Sequence, residues 1–100
     1  MNLGKVIGTV WSTRKDENLV GAKFLIVKEL DLEYKPKNNF VVAVDSVGAG
    51  VGEIVLFAQG SSARQTAFTK NKPVDAVIMA IVDKLDVSVK DKIKELEEDK

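Results

Sequence analysis

The residues able to carry chemistry in this sequence are carboxylates, serines and glycine turns, because its 100 residues include neither histidine nor cysteine. A serine therefore has no histidine to serve as its base, and thiolate or imidazole metal sites are impossible. The acids do not follow the spacing of a calcium-binding loop. Two carboxylate pairs, Asp45 with Glu53 and Asp75 with Asp83, have the chemistry of an acid and a base, but no pattern brings either pair together. The sequence predicts neither an enzyme nor a bound cofactor or metal.

A glycine-rich turn stands at the middle of the chain, where Gly48, Gly50 and Gly52 alternate with small or branched residues. A phosphate-binding loop needs a strand, then glycines, then a helix whose N-terminus faces the phosphate. Here the apolar segment from Glu53 to Ala58 follows, which is typical of a strand, and there is no Walker lysine. We therefore interpret the glycines as a tight β-connection or a close backbone contact, in preference to a nucleotide site.

A second turn of small residues runs from Gly60 to Arg64. Ser62 is suited to cap a short helix over Ser62–Phe68, because its hydroxyl can accept a backbone N–H. The free N–H groups at such a helix start, with Arg64 nearby, could instead hold an anion. Capping is the interpretation we favour.

Composition limits the classes of function. The chain is long enough for one domain, and its 15 basic and 15 acidic side chains cancel, which argues against a dedicated polyanion binder. Residues 1–72 carry a net charge of +3 and residues 73–100 a net charge of −3. The N-terminus lacks an apolar signal region, and the longest apolar run, Ala76–Val82, is shorter than the ~20 residues of a membrane helix. These features predict a soluble cytoplasmic protein.

Five segments rich in branched and aromatic residues predict β-strands, separated by a polar loop over residues 12–21 and a turn at Lys35–Asn39. The tail from Ser88 has a different character, because Val89, Ile93 and Leu96 fall on one helical face among charged residues. We predict a mainly β domain over residues 1–87, a small barrel or sandwich, and a helical tail over residues 88–100. The predicted strands are Leu3–Trp11, Lys23–Tyr34, Phe40–Val44, Glu53–Ala58 and Val74–Val82.

Four of these strands are apolar on both faces. In the fourth, Ile54 and Leu56 alternate with Val55 and Phe57, although a lone barrel has only one interior. Each large apolar side chain gains roughly 1.5–3 kcal/mol on burial, and soluble monomers avoid large exposed patches. The tail is too short to cover four strands. We therefore expect identical subunits to cover one another, with Val55 or Phe57 as candidate outward-facing contacts.

The ordered motifs resemble the EutN/CcmL family of bacterial microcompartment vertex proteins, over about Met1 to Val87. A single glycine motif would be weak support, whereas several blocks in the same order in a chain of this length are specific. The blocks that carry the resemblance are Leu3–Val10, Thr13–Lys15, Leu19–Gly21, Lys23–Val27, Val44–Leu56, Gly60–Arg64, Pro73–Ile78 and Ile81–Asp83.

The resemblance implies a five-stranded, OB-like β-barrel that assembles as a homopentamer and caps the five-fold vertices of a cytoplasmic protein shell. Its other partners would be hexameric shell proteins, with no nucleic acid, membrane or chemistry involved. The family's two turns would lie near subunit contacts or the centre of the ring. Glu53 and Arg64 are candidates for an ion pair between subunits, with two solvated charges as the alternative. The residues that match these turns are Gly48, Ala49, Gly50, Gly52 and Glu53, then Gly60, Ser61, Ser62, Ala63 and Arg64.

The alternative function is that of an OB-fold protein that binds single-stranded nucleic acid, which needs a basic groove and exposed stacking aromatics. The net charge of zero weighs against it. The candidate groups would be Trp11, Tyr34 and Phe68, with Lys35, Lys37, Lys70 and Lys72.

Overall fold

The structure is a computed structural model that describes residues 1–12, 15–65, 69–70 and 74–87. The predicted tail helix over residues 88–100 lies outside the described residues. Two short 3-10 helices, η1 at Glu17–Leu19 and η2 at Gly60–Arg64, accompany the strands. The five strands are β1 (Asn2–Val10), β2 (Lys23–Leu30), β3 (Pro36–Asp45), β4 (Ile54–Gln59) and β5 (Ala76–Ile81).

The strands close into a barrel in the order β1-β2-β3-β5-β4. Every pair of neighbours is antiparallel except β3 and β5, which run parallel. It follows that β1, β3 and β5 all run in the same direction, so their C-terminal ends meet at one end of the barrel. The prediction of a small five-stranded barrel is confirmed.

The barrel interior is filled by aliphatic side chains around one aromatic ring, that of Phe57. Gly4 on β1 lies against this core, where an added Cβ would stand 2.9 Å from Phe57 Cε1 and closer still to the side chain of Val27. Glycine is therefore required at this position by packing, since a Cβ atom has no room there. The fully buried large side chains of this core are Val6, Leu25, Val27, Val55, Phe57 and Ile78.

Val55 and Phe57 point into the barrel and are almost completely buried. The prediction that one of them faces outward was wrong. Ile54 and Leu56, which alternate with them, are only partly buried and form the outer face of β4. The sequence could not choose between the two faces because both are apolar, and in strands the choice is fixed by register alone.

The outer wall is covered in two places by the chain itself. Residues near η1 and before β5 build one small cluster, in which Ala22 and Val74 pack on Val44 of β3. At η2, Ala63 packs on Ala58 and Val77, from β4 and β5. The expectation that another subunit covers the whole second face was therefore too broad, because two connections bury part of it within the subunit.

The connection between β2 and β3 comes earlier than predicted. β2 ends at Leu30, and β3 already begins at Pro36, so the predicted turn at Lys35–Asn39 was wrong. The cause is Asp31, whose carboxylate accepts the backbone N–H groups of Glu33 at 2.8 Å and Lys35 at 3.0 Å. Proline is tolerated at the first position of a strand, where the ladder does not require an N–H.

The short helix after β4 also differs from its prediction. It is a 3-10 helix at Gly60–Arg64, whereas a helix over Ser62–Phe68 was predicted, and residues 66–68 lie outside the described residues. Gly60 starts it with φ at 63°, and its N–H donates to the carbonyl of Asp75 at 2.7 Å. Ser62 therefore lies inside the helix and is not its cap.

Candidate functional site

The glycine turn between β3 and β4 is held by two carboxylates. Asp45 Oδ1 accepts the N–H groups of Val47 at 3.1 Å and Ala49 at 3.2 Å. Glu53 Oε1 accepts the N–H of Gly50 at 2.7 Å. Both side chains therefore stabilise the backbone of the turn, and the carboxylate pair considered for acid–base chemistry is engaged in structural hydrogen bonds.

The turn is also anchored to two neighbouring strands. Gly52 donates its N–H to the carbonyl of Val6 at 2.8 Å, and Val6 donates to the carbonyl of Glu53 at 3.0 Å. Lys23 at the start of β2 donates from Nζ to the carbonyl of Ala49 at 2.9 Å, and Ala49 is completely buried. The sequence analysis missed Lys23, because a surface lysine gives no local signal of a bond to a residue 26 positions away.

Glycine conformations give the turn its shape. Gly48 and Gly52 have φ of 79° and 94°, a left-handed region that other residues rarely adopt. Gly50 differs, because its φ is not in this region and an added Cβ would make an ordinary contact, 3.5 Å from Glu53 Oε1. The exposed residues of the turn are Gly48, Val51 and Gly52.

The second turn is η2, which follows β4. Its Ala63 is completely buried, whereas Gly60, Ser61 and Arg64 are exposed. The Arg64 guanidinium donates to the carbonyl of Val74 at 3.2 Å and forms an ion pair with Asp75 at 3.4 Å. Arg64 therefore holds η2 against the segment that enters β5. Its ion pair also engages Asp75, which the sequence analysis paired with Asp83 as a candidate acid and base.

The two turns lie at opposite ends of β4. Glu53 precedes the strand and Gly60 follows it, so about 20 Å of extended chain separates them. Glu53 and Arg64 consequently do not meet within one subunit, where each has another partner. An ion pair between Glu53 of one subunit and Arg64 of another stays a prediction.

An apolar surface remains on the outer wall of β2 and β3. Phe40 is 64% exposed and Val42 is 47% exposed, and both lie on the part of β3 that pairs with β2 but not with β5. Ile26 is paired directly with Val42, so these side chains share one face. We call Ile26, Phe40 and Val42 the outer strip. It is part of the surplus of apolar side chains that the sequence predicted, and the described residues leave it partly uncovered.

The comparison with protein families gives one match over most of the chain. The family model described as "Ethanolamine utilisation protein EutN/carboxysome" matches residues 1–83. The chain belongs to the EutN/CcmL family.

Several relatives within this family have assigned roles. The chain is 46% identical over 87 residues to the carboxysome shell vertex protein CcmL of Gloeobacter violaceus, covering 87% of each protein. It is 51% identical over 83 residues to the bacterial microcompartment shell vertex protein GrpN of Rhodospirillum rubrum, covering 83% of this chain and 93% of GrpN.

Solved structures agree with the sequence comparison. The structure of Gloeobacter violaceus CcmL superposes with a TM-score of 0.83 at 45% identity, over 88% of this chain and 91% of that one. The pentameric microcompartment shell protein GrpN gives a TM-score of 0.80 at 48% identity, over 88% of this chain and all of GrpN. The OB-like barrel of this EutN/CcmL family member is thus the fold of pentameric shell proteins.

The groups that a nucleic-acid site would need are separated in this EutN/CcmL barrel. Trp11 follows the end of β1, whereas Tyr34 lies beyond the far end of β2, which is about 27 Å long. Lys35 pairs with Glu33, and Lys37 pairs with Glu29. Trp11 and Tyr34 therefore do not form one stacking platform, and Phe68 and Lys72 lie outside the described residues.

Among the described residues, no group of three or more acidic side chains is placed to hold a metal ion. Within the same part of the chain, no helix has the length and apolar character needed to cross a membrane. Asp75 and Asp83 stand before and after β5, so this pair does not converge.

Proposed function

We propose that this chain forms a homopentamer that caps the five-fold vertices of a bacterial microcompartment shell. The observation that carries the proposal is the outer strip on a barrel whose relatives include a pentameric shell protein. Exposed Phe40 and Val42 need cover that the described part of the subunit does not supply. A neighbouring copy in a closed ring supplies it, since each subunit then offers the same surface to the next.

The role is structural. A sheet of hexagonal tiles is flat, so a closed shell needs units of five-fold symmetry to introduce curvature. Relatives at 40–51% identity are shell vertex proteins from carboxysomes and other microcompartments, which supports this function over the nucleic-acid-binding alternative. Hexameric shell proteins are the partners that we expect along the edges of the pentamer.

The two turns are proposed to lie at subunit contacts or at the centre of the ring. Their small residues allow close approach of backbones, and the exposed residues Gly48, Val51 and Gly52 are available for such a contact. Gly60 and Ser61, at the other end of β4, are exposed in the same way. If β4 runs across the ring, one turn lies towards its centre and the other towards its rim.

Native mass spectrometry tests the oligomer directly. A species with the mass of five subunits is the expected result, and a stable monomer at micromolar concentration would contradict the proposal. Co-expression with a hexameric shell protein tests the vertex role. Closed particles are expected when this chain is present and open sheets or tubes when it is omitted. Open assemblies in both cases would show that the chain does not close the shell.

A further inference from the structure

The first part of β3 has one backbone edge without a partner strand. On one side, β2 pairs with β3 from Pro36 to Asp45. On the other side, β5 pairs only with Val44 and Asp45. Among the strands of the described residues, none pairs with this second side of Asn38–Val42. We call the backbone N–H and C=O groups on this side of Asn38–Val42 the free edge.

The same part of β3 is exposed on both of its faces. All residues from Pro36 to Phe40 are exposed, although successive residues of a strand point to opposite faces. Farther along the strand, Ala43 and Val44 are buried, and Val74, which precedes β5, packs on Val44. The described chain that enters β5 thus covers the C-terminal end of β3 and not its start.

The composition of the free edge favours pairing with another chain. Soluble proteins protect exposed strand edges with prolines, charged side chains or covering segments. Pro36 and Lys37 give such protection at the start of β3, but the next five residues, Asn38–Val42, include neither a charge nor a proline. Three of them are phenylalanine or valine, which favour strands. An edge of this kind is a template to which a partner can add its own backbone.

The free edge adjoins the outer strip. Phe40 and Val42 belong to both, because their side chains are exposed on the outer wall and their backbone lies on the part of β3 that β5 does not pair with. An added strand would lie about 4.8 Å from β3, the usual spacing within a sheet. One partner can therefore cover the apolar side chains and supply the missing backbone hydrogen bonds.

We propose that a second copy of this chain forms backbone hydrogen bonds with the free edge and thereby extends the sheet across the subunit contact. The inference rests on the proposed pentamer, which a pentameric relative supports. In a closed ring of five, contacts are head-to-tail, so the free edge meets a different segment of the next copy. Pairing of β3 with β3 would instead relate two copies by a two-fold axis and give a dimer.

Amide hydrogen exchange, measured residue by residue by NMR, tests the pairing. Phe40, Val41 and Val42 lie in a regular part of the ladder with β2, where successive N–H groups point to opposite edges. In a lone subunit, their protection should therefore alternate. In the oligomer, we expect all three to be protected, because the N–H groups at the free edge also have acceptors there. An alternating pattern in the intact oligomer would overturn the proposal.

The lone subunit is obtained by dilution or with Ile26→Lys, which places a charge in the outer strip and leaves β3 unchanged. Alternating protection is the expected result. Uniform protection in a monomer would mean that the subunit's own chain covers the free edge, and would overturn the proposal. Protection that appears only after a hexameric shell protein is added would assign the edge to that partner, with the same consequence.

Proline substitutions remove one N–H group at a time. Of Val41→Pro and Val42→Pro, one removes an N–H that bonds to β2 and should destabilise the subunit, whereas the other removes an N–H at the free edge. The edge-directed variant is expected to stay folded and to associate about 2- to 13-fold more weakly for each lost bond. Val41→Ala and Val42→Ala are the controls, because they shorten the side chains and keep both N–H groups. Equal association of the edge-directed variant and its alanine control would overturn the proposal.

The oligomer and the pairing can fail separately. A five-subunit species in native mass spectrometry with alternating exchange at Phe40–Val42 would refute the pairing and leave the vertex proposal standing. A two-subunit species with uniform protection would show that β3 pairs with β3, and would overturn both. Where a proline variant does not fold, the exchange pattern of the parent protein decides.

Discussion

Ile26 of β2 and Val42 of β3 lie directly opposite each other on the outer wall of the barrel. Their neighbours along the strands, Leu25 and Ala43, form the equivalent pair on the inner face and are completely buried. Two adjacent pairs of the same ladder are thus both apolar, and only one faces the core. The outer pair therefore belongs to an apolar surface of the kind that marks a contact with another protein surface.

Val42→Lys is expected to dissociate the oligomer while the barrel stays folded. The lysine would place a charge in a contact that desolvates it, whereas in the free subunit it would point into solvent. Native mass spectrometry measures the loss of the five-subunit species, and circular dichroism measures the retained β-structure.

Val20→Lys is the matched control, because Val20 is equally aliphatic and more exposed, and lies in the turn after η1. This variant should keep the oligomer of the parent protein. Val55→Lys is a second control, on the inner face of the barrel. It buries a charge in the core and should abolish folding, whereas Val42→Lys should not. A five-subunit species that persists in Val42→Lys would exclude the outer strip from the subunit contact.

The sequence was sufficient to predict five strands, their approximate positions along the chain and the excess of apolar side chains. It did not predict which face of β4 is inside, because Val55 and Ile54 are both aliphatic and a shift of one residue exchanges the faces. It also placed the β2–β3 turn too late, since an Asx turn at Asp31 competes with the more obvious Pro-Lys-Asn-Asn signal.

The sequence indicated that the two turns have a structural role, but it did not predict the hydrogen-bond partners of their residues. Asp45 and Glu53 bond to residues within four positions, which local motifs could have suggested. By contrast, Lys23 reaches Ala49 only because the barrel closes and brings the start of β2 beside the glycine turn. Long-range bonds of this kind depend on topology, which residue types alone do not specify.

Gly4→Ala is expected to destabilise the subunit by about 1–3 kcal/mol, the usual cost of overpacking a core. The added methyl group would overlap Val27 and the Phe57 ring, and the carbonyl of Lys28 at 3.0 Å leaves it no alternative. Urea denaturation measures the change in the free energy of unfolding. Gly8→Ala on the same strand is the control, because its Cβ would meet only the side chain of Ile26, at 3.4 Å. Equal losses for both variants would show that strand conformation, and not packing at Gly4, sets the cost.

Glu53→Ala is expected to destabilise the glycine turn, because the N–H of Gly50 loses its acceptor. Hydrogen bonds to charged groups contribute about 1.5–3 kcal/mol, so the free energy of unfolding should fall by an amount in or below this range. Glu53→Gln retains an oxygen at the same place and should lose much less. Faster amide exchange at Gly50 in the alanine variant is the local measurement.

The same position tests the predicted contact between subunits. If Glu53 also pairs with Arg64 of another subunit, Glu53→Gln weakens the oligomer, and adding Arg64→Met produces no further loss. If Glu53 acts only within its own turn, the glutamine variant keeps the oligomer and the two substitutions act independently.

Asp31 makes the stability of the β2–β3 turn depend on pH. Its pKa is lowered from the ordinary 3.8 chiefly because the backbone N–H groups of Lys35 and Glu33 donate to the ionised carboxylate, with a smaller effect from the charges of Lys35 and Lys37. A carboxyl group whose pKa is lower in the folded state stabilises the fold at pH values above its ordinary pKa. This contribution declines as the pH falls below 3.8 and through the lower folded-state value.

Asp31→Asn removes this titration while leaving an oxygen that can accept the same bonds. The melting temperature of the parent protein should therefore exceed that of the variant at pH 7, and the difference should shrink when both are measured near pH 3. Asp16→Asn is the control, because Asp16 also accepts a backbone N–H in an exposed turn, but from one residue only. A difference between the parent protein and Asp31→Asn that is equally large at both pH values would show that the charge of Asp31 does not stabilise the turn.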